Sequence, residues 1–155
     1  GVDPSAAMLD LARQTLGPFA ARVELVEGTV AQAPPGPFDG ATCLLTMHHL
    51  ERAERLQLLR ETRRRLRPGA HLAMVEHSAP APDAALWMAR SVAFGDRAGH
   101  DWDKARATGT MMTERLALLS PAEEEDLLRE AGFEDAGMFY AAFSFRGWVA
   151  SAGPS

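Results

Sequence analysis

Asp3 stands where the short start Gly1-Val2 runs into Pro4-Ser5, at a corner between the end of a strand and the start of a helix. A carboxylate at the C-terminal tip of a parallel strand can accept both hydroxyls of a ribose. Its more ordinary role is an acid favoured by a helix dipole. The adjacent pair His48-His49 could perform acid–base or metal chemistry. No cysteine or third ligand stands at metal spacing, so no metal site is expected. Glu76 and His77 are a second titratable pair at the end of an apolar segment. Plain packing competes with function at each of these positions, as it does at Cys43, Leu44 and Leu45.

These groups need elements to hold them. Ser5 can cap a helix whose Met8, Leu9, Leu11, Ala12 and Leu16 form an apolar stripe, and Gly17-Pro18 stops it. Residues 22–26 alternate and read as a short strand, with a Pro/Gly-rich loop over 33–37. The run 41–45 lacks alternation, which suits a strand buried on both faces of a parallel sheet. A helix over 51–66 follows, with Leu56, Leu59, Arg63 and Leu66 on one face. Arg60, Arg63, Arg64, Arg65 and Arg67 crowd its end as a solvated face that the helix dipole favours. Pro68-Gly69 breaks the helix and 70–76 returns as a strand, which implies parallel pairing through right-handed crossovers. Residues 77–119, punctuated by Pro80, Pro82, Gly95, Gly99 and Gly109, read as an excursion over the sheet edge. Ser120-Pro121-Ala122-Glu123 is a helix start with cap, first-turn proline and capping-box glutamate, and Gly132 ends that helix. The aromatic runs 138–145 and 148–151, separated by Arg146-Gly147, predict a terminal hairpin.

With 155 residues, the chain fits one domain over 1–155. Its net charge of -5 offers no overall basic field for nucleic acid or anionic lipid. The single cysteine excludes an internal disulfide and suits a reducing, cytoplasmic setting. No apolar run approaches the roughly 20 residues that cross a bilayer. The start at Gly1, inside what reads as the end of a buried strand, leads us to expect a fragment.

Four patterns occur in order: GVDPSAAMLDLA, VEGTV, FDGATCLLTMHHL with LRPGAHLAMVE, and LSPAEEEDLLREAGFEDAGMFYAAFSFRGWVAS. Together they resemble the class I S-adenosylmethionine-dependent methyltransferases from their second strand to their last. The resemblance implies an α/β, Rossmann-like fold: a mostly parallel sheet with a C-terminal antiparallel hairpin, truncated at its N-terminal side. The family's first strand and glycine-rich loop would lie upstream, and a piece without that loop is expected to bind cofactor poorly. The cofactor implied is S-adenosylmethionine. Asp3 would take its ribose, and Pro4 would pack against adenine. Thr29 and Val30 occupy the adenine corner, where Thr29 departs from the family's usual Asp and the Val30 amide is left to serve. Leu44 would lie near the sulfonium. The family gives a His pair here a mainly structural role, so the base is unassigned, with His48, His49 and Glu76 as candidates. Trp87, Phe94 and Trp102 are candidates for a substrate cover. The chemistry asks little of side chains, because the sulfonium is already activated and the protein mainly orients the acceptor and excludes water. An acidic chain without a basic-aromatic strip points to a small-molecule acceptor.

Three other readings stand beside this one. A nicotinamide dehydrogenase would also place an acid after its second strand, although a reversed last strand disfavours it. The tail FYAAFSFRGWVA also looks like the carboxy-S-adenosylmethionine synthase subgroup. That activity needs a cation near the sulfonium; Thr110-Met111-Met112 offers none, while Arg106 and Arg115 lie on either side. The third is a degenerate, non-catalytic α/β scaffold.

Overall fold

In the computed structural model, which describes residues 1–96 and 101–154, the chain forms two units, Gly1–Gly36 and Pro37–Ser155. In the first, strand β1 (Val2–Asp3) runs parallel to β2 (Val26–Glu27), with Asp3 opposite Glu27. Helix α1 (Ala6–Leu16) starts as its sequence predicts, with the Ser5 hydroxyl accepting from the Met8 amide at 3.3 Å. Only Leu9 of its apolar stripe is buried within the chain. The strand predicted over 22–26 is corrected to β2 alone. Gly17 turns the chain at a φ of 47° and opens a 3-10 stretch, Gly17–Arg22, which takes Arg22, while Val23, Glu24 and Leu25 lie outside any strand.

The second unit is built on a four-stranded sheet. Strand β3 (Phe38–Leu44) lies at its edge, parallel to β4 (Leu66–His77). Next comes β6 (Phe145–Ala152), antiparallel to β4, and then β5 (Phe133–Ala142), giving the order β3-β4-β6-β5. The parallel pairs β1–β2 and β3–β4 and the closing antiparallel hairpin together match the expected fold class. The expectation that 41–45 is buried on both faces is not met, since this strand has one neighbour and Leu44 is 58% exposed. Pro68-Gly69 does not end a helix, because α2 (Arg52–Arg64) has already stopped and both residues lie inside β4. The register jumps there from Phe38–Leu66 to Gly40–His71, so the extra β4 residues bulge out, where a missing proline N–H and a glycine at φ 78° are tolerated.

Among the described residues, helices α3 (Ala84–Gly95) and α4 (Trp102–Arg115) lie in the excursion, whose Gly99 falls outside them, and a parallel bridge joins Ser78 to Leu119 at its base. The two helices meet at Gly109, where an added Cβ would stand 2.6 Å from the Ala89 nitrogen and 2.7 Å from the Ala85 oxygen. Backbone cannot give way as a side chain can. Gly109→Ala is therefore expected to lower stability by about 1–3 kcal/mol, read as a drop in the circular-dichroism melting midpoint. An unshifted midpoint would mean that the helices do not approach so closely.

Helix α5 (Pro121–Glu130) opens with the predicted capping box, in which Ser120 and Glu123 exchange bonds of 3.3 and 2.7 Å. The hairpin is present, but its turn is Phe143-Ser144 and not Arg146-Gly147, both of which lie within β6. Phe143 supplies the left-handed residue at φ 55°. Gly147 instead lets the Phe139 ring lie close, with its tip 3.0 Å from where a Cβ would be. Leu59, Leu72, Met74, Leu127, Leu128, Phe133 and Trp148 form the core of this unit.

Candidate functional site

In the second unit, β3 leads through Leu45 into the 3-10 turn Met47–His49, while neighbouring β4 ends on Glu76 and His77. Leu45 sits at φ 53°, and its amide still donates to the Val75 carbonyl at 2.7 Å. The chain therefore reverses direction while attached to the sheet. The reversal aims three consecutive amides at Glu76. Its Oε1 accepts from Thr46 and Met47, each at 3.0 Å, and its Oε2 from His48 at 3.2 Å. The Nδ1 of His48 lies 2.7 Å from the same Oε2. Burial alone would raise the Glu76 carboxyl, but the bonds from the His48 ring and from the Met47 and Thr46 amides outweigh it. They hold it below the usual carboxylate range.

Because its partner is an acceptor, the Nδ1 of His48 is assigned the proton, which leaves Nε2 as the basic nitrogen. Among the described residues Nε2 has no hydrogen-bond partner. The His49 ring stands 4.2 Å from that of His48, and the His77 ring 5.0 Å. His49 is exposed, whereas His77 is buried with Nδ1 2.9 Å from the Ser144 hydroxyl. Burial first, and then the neighbouring His48 and His49, push His77 down to about 4 against the pull of Glu76. It is neutral near pH 7. Burial, reinforced by Glu76, pushes the Cys43 thiol up to about 12, so it is no nucleophile. Among the described residues no three His, Cys, Asp or Glu side chains stand together at metal distances.

Behind this cluster lies a pair that the sequence reading missed. Arg55 on α2 and Glu124 on α5 are wholly buried and joined at 2.6 Å. Arg55 also donates to the Leu50 carbonyl at 2.9 Å and to the Ala117 carbonyl. The Ala117 amide in turn donates to the His48 carbonyl at 3.1 Å, so Arg55 steadies the turn that carries His48. Burial pushes the Glu124 carboxyl up to about 7 although Arg55 opposes it, and its Oε2 finds no partner. A signal was available: Arg55 precedes Leu59 by four residues, and Glu124 precedes Leu127 and Leu128 by three and four. Both charges thus sit on apolar stripes.

The remaining candidates divide between the units. In the first, Asp3 is half-buried at the end of β1, and its Oδ1 accepts from the Ser5 amide at 2.8 Å. Its Oδ2 accepts nothing among the described residues. Pro4 is exposed beside it. The Thr29 hydroxyl is engaged in its own turn, donating to Gln32 at 2.9 Å and accepting from the Ala31 amide at 3.3 Å. Val30 opens the 3-10 turn Val30–Gln32, where an amide has no partner one turn back. In the second unit Leu44 is exposed at the end of β3. Trp87 and Phe94 lie on α3 and Trp102 on α4; Phe94 packs on Phe143 with ring centres 5.0 Å apart. Thr110-Met111-Met112 and the flanking Arg106 and Arg115 all lie along α4.

Residues 1–69 match a family model described as a methyltransferase domain. No curated protein sequence matches the chain. Among solved structures it is similar to the pyocyanin biosynthetic protein PhzM, at 22% identity and a TM-score of 0.68, over 98% of this chain and 42% of that one. It is also similar to an O-methyltransferase family 2 protein from Planctomyces limnophilus in complex with apigenin. There the identity is 14% and the TM-score 0.66, over 93% of this chain and 39% of that one. Human N-acetylserotonin methyltransferase in complex with S-adenosylmethionine shows 17% identity and a TM-score of 0.59, over 86% and 35%. The chain thus spans less than half the length of each. Its fold is shared with all three.

Proposed function

We propose, for a chain that carries the class I S-adenosylmethionine methyltransferase fold, that it handles cofactor and acceptor in methyl transfer to a hydroxyl of a small molecule. The observation that carries this reading is the buried Glu76 carboxylate, which fixes both the His48 backbone and its ring. Bound S-adenosylmethionine would supply an activated methyl group on a sulfonium, whose sulfur would keep the S–C bonding electrons when the methyl passed to the acceptor oxygen. In the first unit, the free Oδ2 of Asp3 fits a ribose hydroxyl, and Oδ1 retains lone-pair capacity beside its bond from Ser5. Val30 offers a backbone amide to adenine, and Pro4 an apolar surface. Thr29 serves its own turn and is not assigned to the cofactor.

In the second unit, His48 takes the acceptor hydroxyl proton at Nε2, and Glu76 holds Nδ1–H and stabilises the imidazolium that forms. Leu44 offers apolar surface, His49 flanks the base, and helices α3 and α4 would cover the acceptor. Neutral His77 adds no competing charge. The reducing cytosol suits a chain whose one thiol is unreactive.

His48→Asn is expected to lower kcat by roughly 10²- to 10⁴-fold while leaving the S-adenosylmethionine Kd unchanged. Asp3→Ala is expected to weaken cofactor binding by about 1–3 kcal/mol, read by calorimetry. A fully active His48→Asn enzyme, or a protein that binds no S-adenosylmethionine, would overturn the reading.

A further inference from the structure

Two guanidinium groups share one tryptophan in the second unit. The Cζ of Arg90 lies 4.7 Å from the centre of the Trp87 ring and that of Arg146 5.3 Å from it. A single cation on an indole face is ordinary; two of like sign on one ring repel each other. Elsewhere in this unit Arg52, Arg55, Arg64 and Arg129 each reach a carboxylate within 2.8 Å, whereas Arg63 donates to the Gly153 and Pro154 carbonyls. Among the described residues neither Arg90 nor Arg146 has a carboxylate at ion-pair distance, although acids outnumber bases in the sequence by 21 to 16.

Arg146 is only 9% exposed. One of its terminal nitrogens donates to the Phe143 carbonyl and, at 3.1 Å, to that of Phe145. The other two guanidinium nitrogens donate to nothing among the described residues. Neither idle nitrogen is sealed from solvent, so both can meet a ligand, and a planar oxyanion fits that fork. Its position is also informative. Arg146 stands directly opposite Glu76 in the β4–β6 register, so the two side chains leave the same face of the sheet. Adjacent strands lie about 4.8 Å apart. The idle fork is therefore one strand away from the carboxylate that holds His48.

We propose that Arg146 and Arg90, seated on Trp87, receive an oxyanion of the acceptor, a carboxylate or a phosphate ester, so that the substrate is an acidic small molecule. This rests on the functional reading above, and its test separates the two. Binding is followed by tryptophan fluorescence, with Trp87→Phe identifying the reporting ring. Benzoate and phenyl phosphate are titrated as anionic probes, with benzamide as the neutral one. Saturable binding of benzoate or phenyl phosphate is expected, at least about tenfold tighter than benzamide and weakened by added salt. The tighter of the two anions identifies the oxyanion.

Arg146→Gln is expected to remove that preference, and the exposed Arg90→Gln to reduce it without loss of fold. Equal binding of benzamide, no saturable change with either anion, or full anion preference in both arginine variants would overturn the proposal. His48→Asn should keep anion binding while losing methyl transfer. If the protein binds no S-adenosylmethionine yet keeps an Arg146-dependent preference for the anion, the methylation reading falls and the subsite stands.

Discussion

Glu76→Gln is expected to destabilise the protein by about 2–5 kcal/mol and to remove most of its activity. The glutamine keeps the size of the side chain and one acceptor oxygen. Its amide nitrogen, however, must face either the Thr46 and Met47 amides or the His48 amide and ring, all of which are donors. In a fully buried site neither orientation leaves every N–H a partner, and water cannot substitute. The pH dependence identifies the cause. Glu76 is held below its ordinary 4.5, so its contribution is complete above that pH and is lost as pH falls through the lower folded value. His77 acts in a separate window. It is neutral in the fold down to about 4 but protonates at about 6.5 when unfolded, so stability falls as pH drops from 6.5 towards 4. Urea midpoints of the parent should therefore decline below pH 4.5, and Glu76→Gln should lose most of that decline; between pH 6.5 and 4.5 the His77 loss is offset in the parent by Glu124, whose raised carboxyl acts in the opposite direction. A variant whose decline below pH 4.5 matches the parent's would show that Glu76 does not act as an anion.

How much of this was legible in the sequence follows from how local each cause is. The caps at Ser5 and Ser120 lie within three residues of the amides they satisfy, and both helices start where predicted. The strand expected at 22–26 loses its first residue for an equally local reason, the 3-10 stretch Gly17–Arg22. The run 41–45 has the composition of a buried strand, but composition does not say which strands flank it, and among the described residues of its unit β3 has only β4 beside it. The hairpin turn was misplaced because glycine was read as its signal. Gly147 answers to the Phe139 ring, and Phe143 makes the turn instead. Glu76 and His48 were recognised as candidates by type and place, but their union spans 28 residues of sequence. That of Arg55 and Glu124 spans 69. Only the fold brings such partners together.

The Arg55–Glu124 pair is expected to show the opposite behaviours of a broken and a replaced buried ion pair. Arg55→Met removes the guanidinium from Glu124 and from the Leu50 and Ala117 carbonyls, and leaves a buried carboxylate with no cation beside it. A loss of about 3–5 kcal/mol should follow. Combining it with Glu124→Leu removes the stranded charge and its unpartnered Oε2 together, and should restore most of that loss. The restoration should fall short of the parent by roughly the 1–3 kcal/mol of carbonyls left without donors. Because Ala117 also donates to the His48 carbonyl, the double variant should stay folded yet turn over more slowly. Glu124 gives the pair a further signature, since a carboxyl raised to about 7 favours the fold when protonated. Its contribution is present below 4.5 and is lost as pH rises towards 7, opposite in direction to that of His77. Removing Glu124 should therefore steepen the loss of stability between pH 6.5 and 4.5, where the two had offset each other. A double variant as unstable as Arg55→Met, with the parent's pH profile, would mean that Arg55 matters for its carbonyls alone.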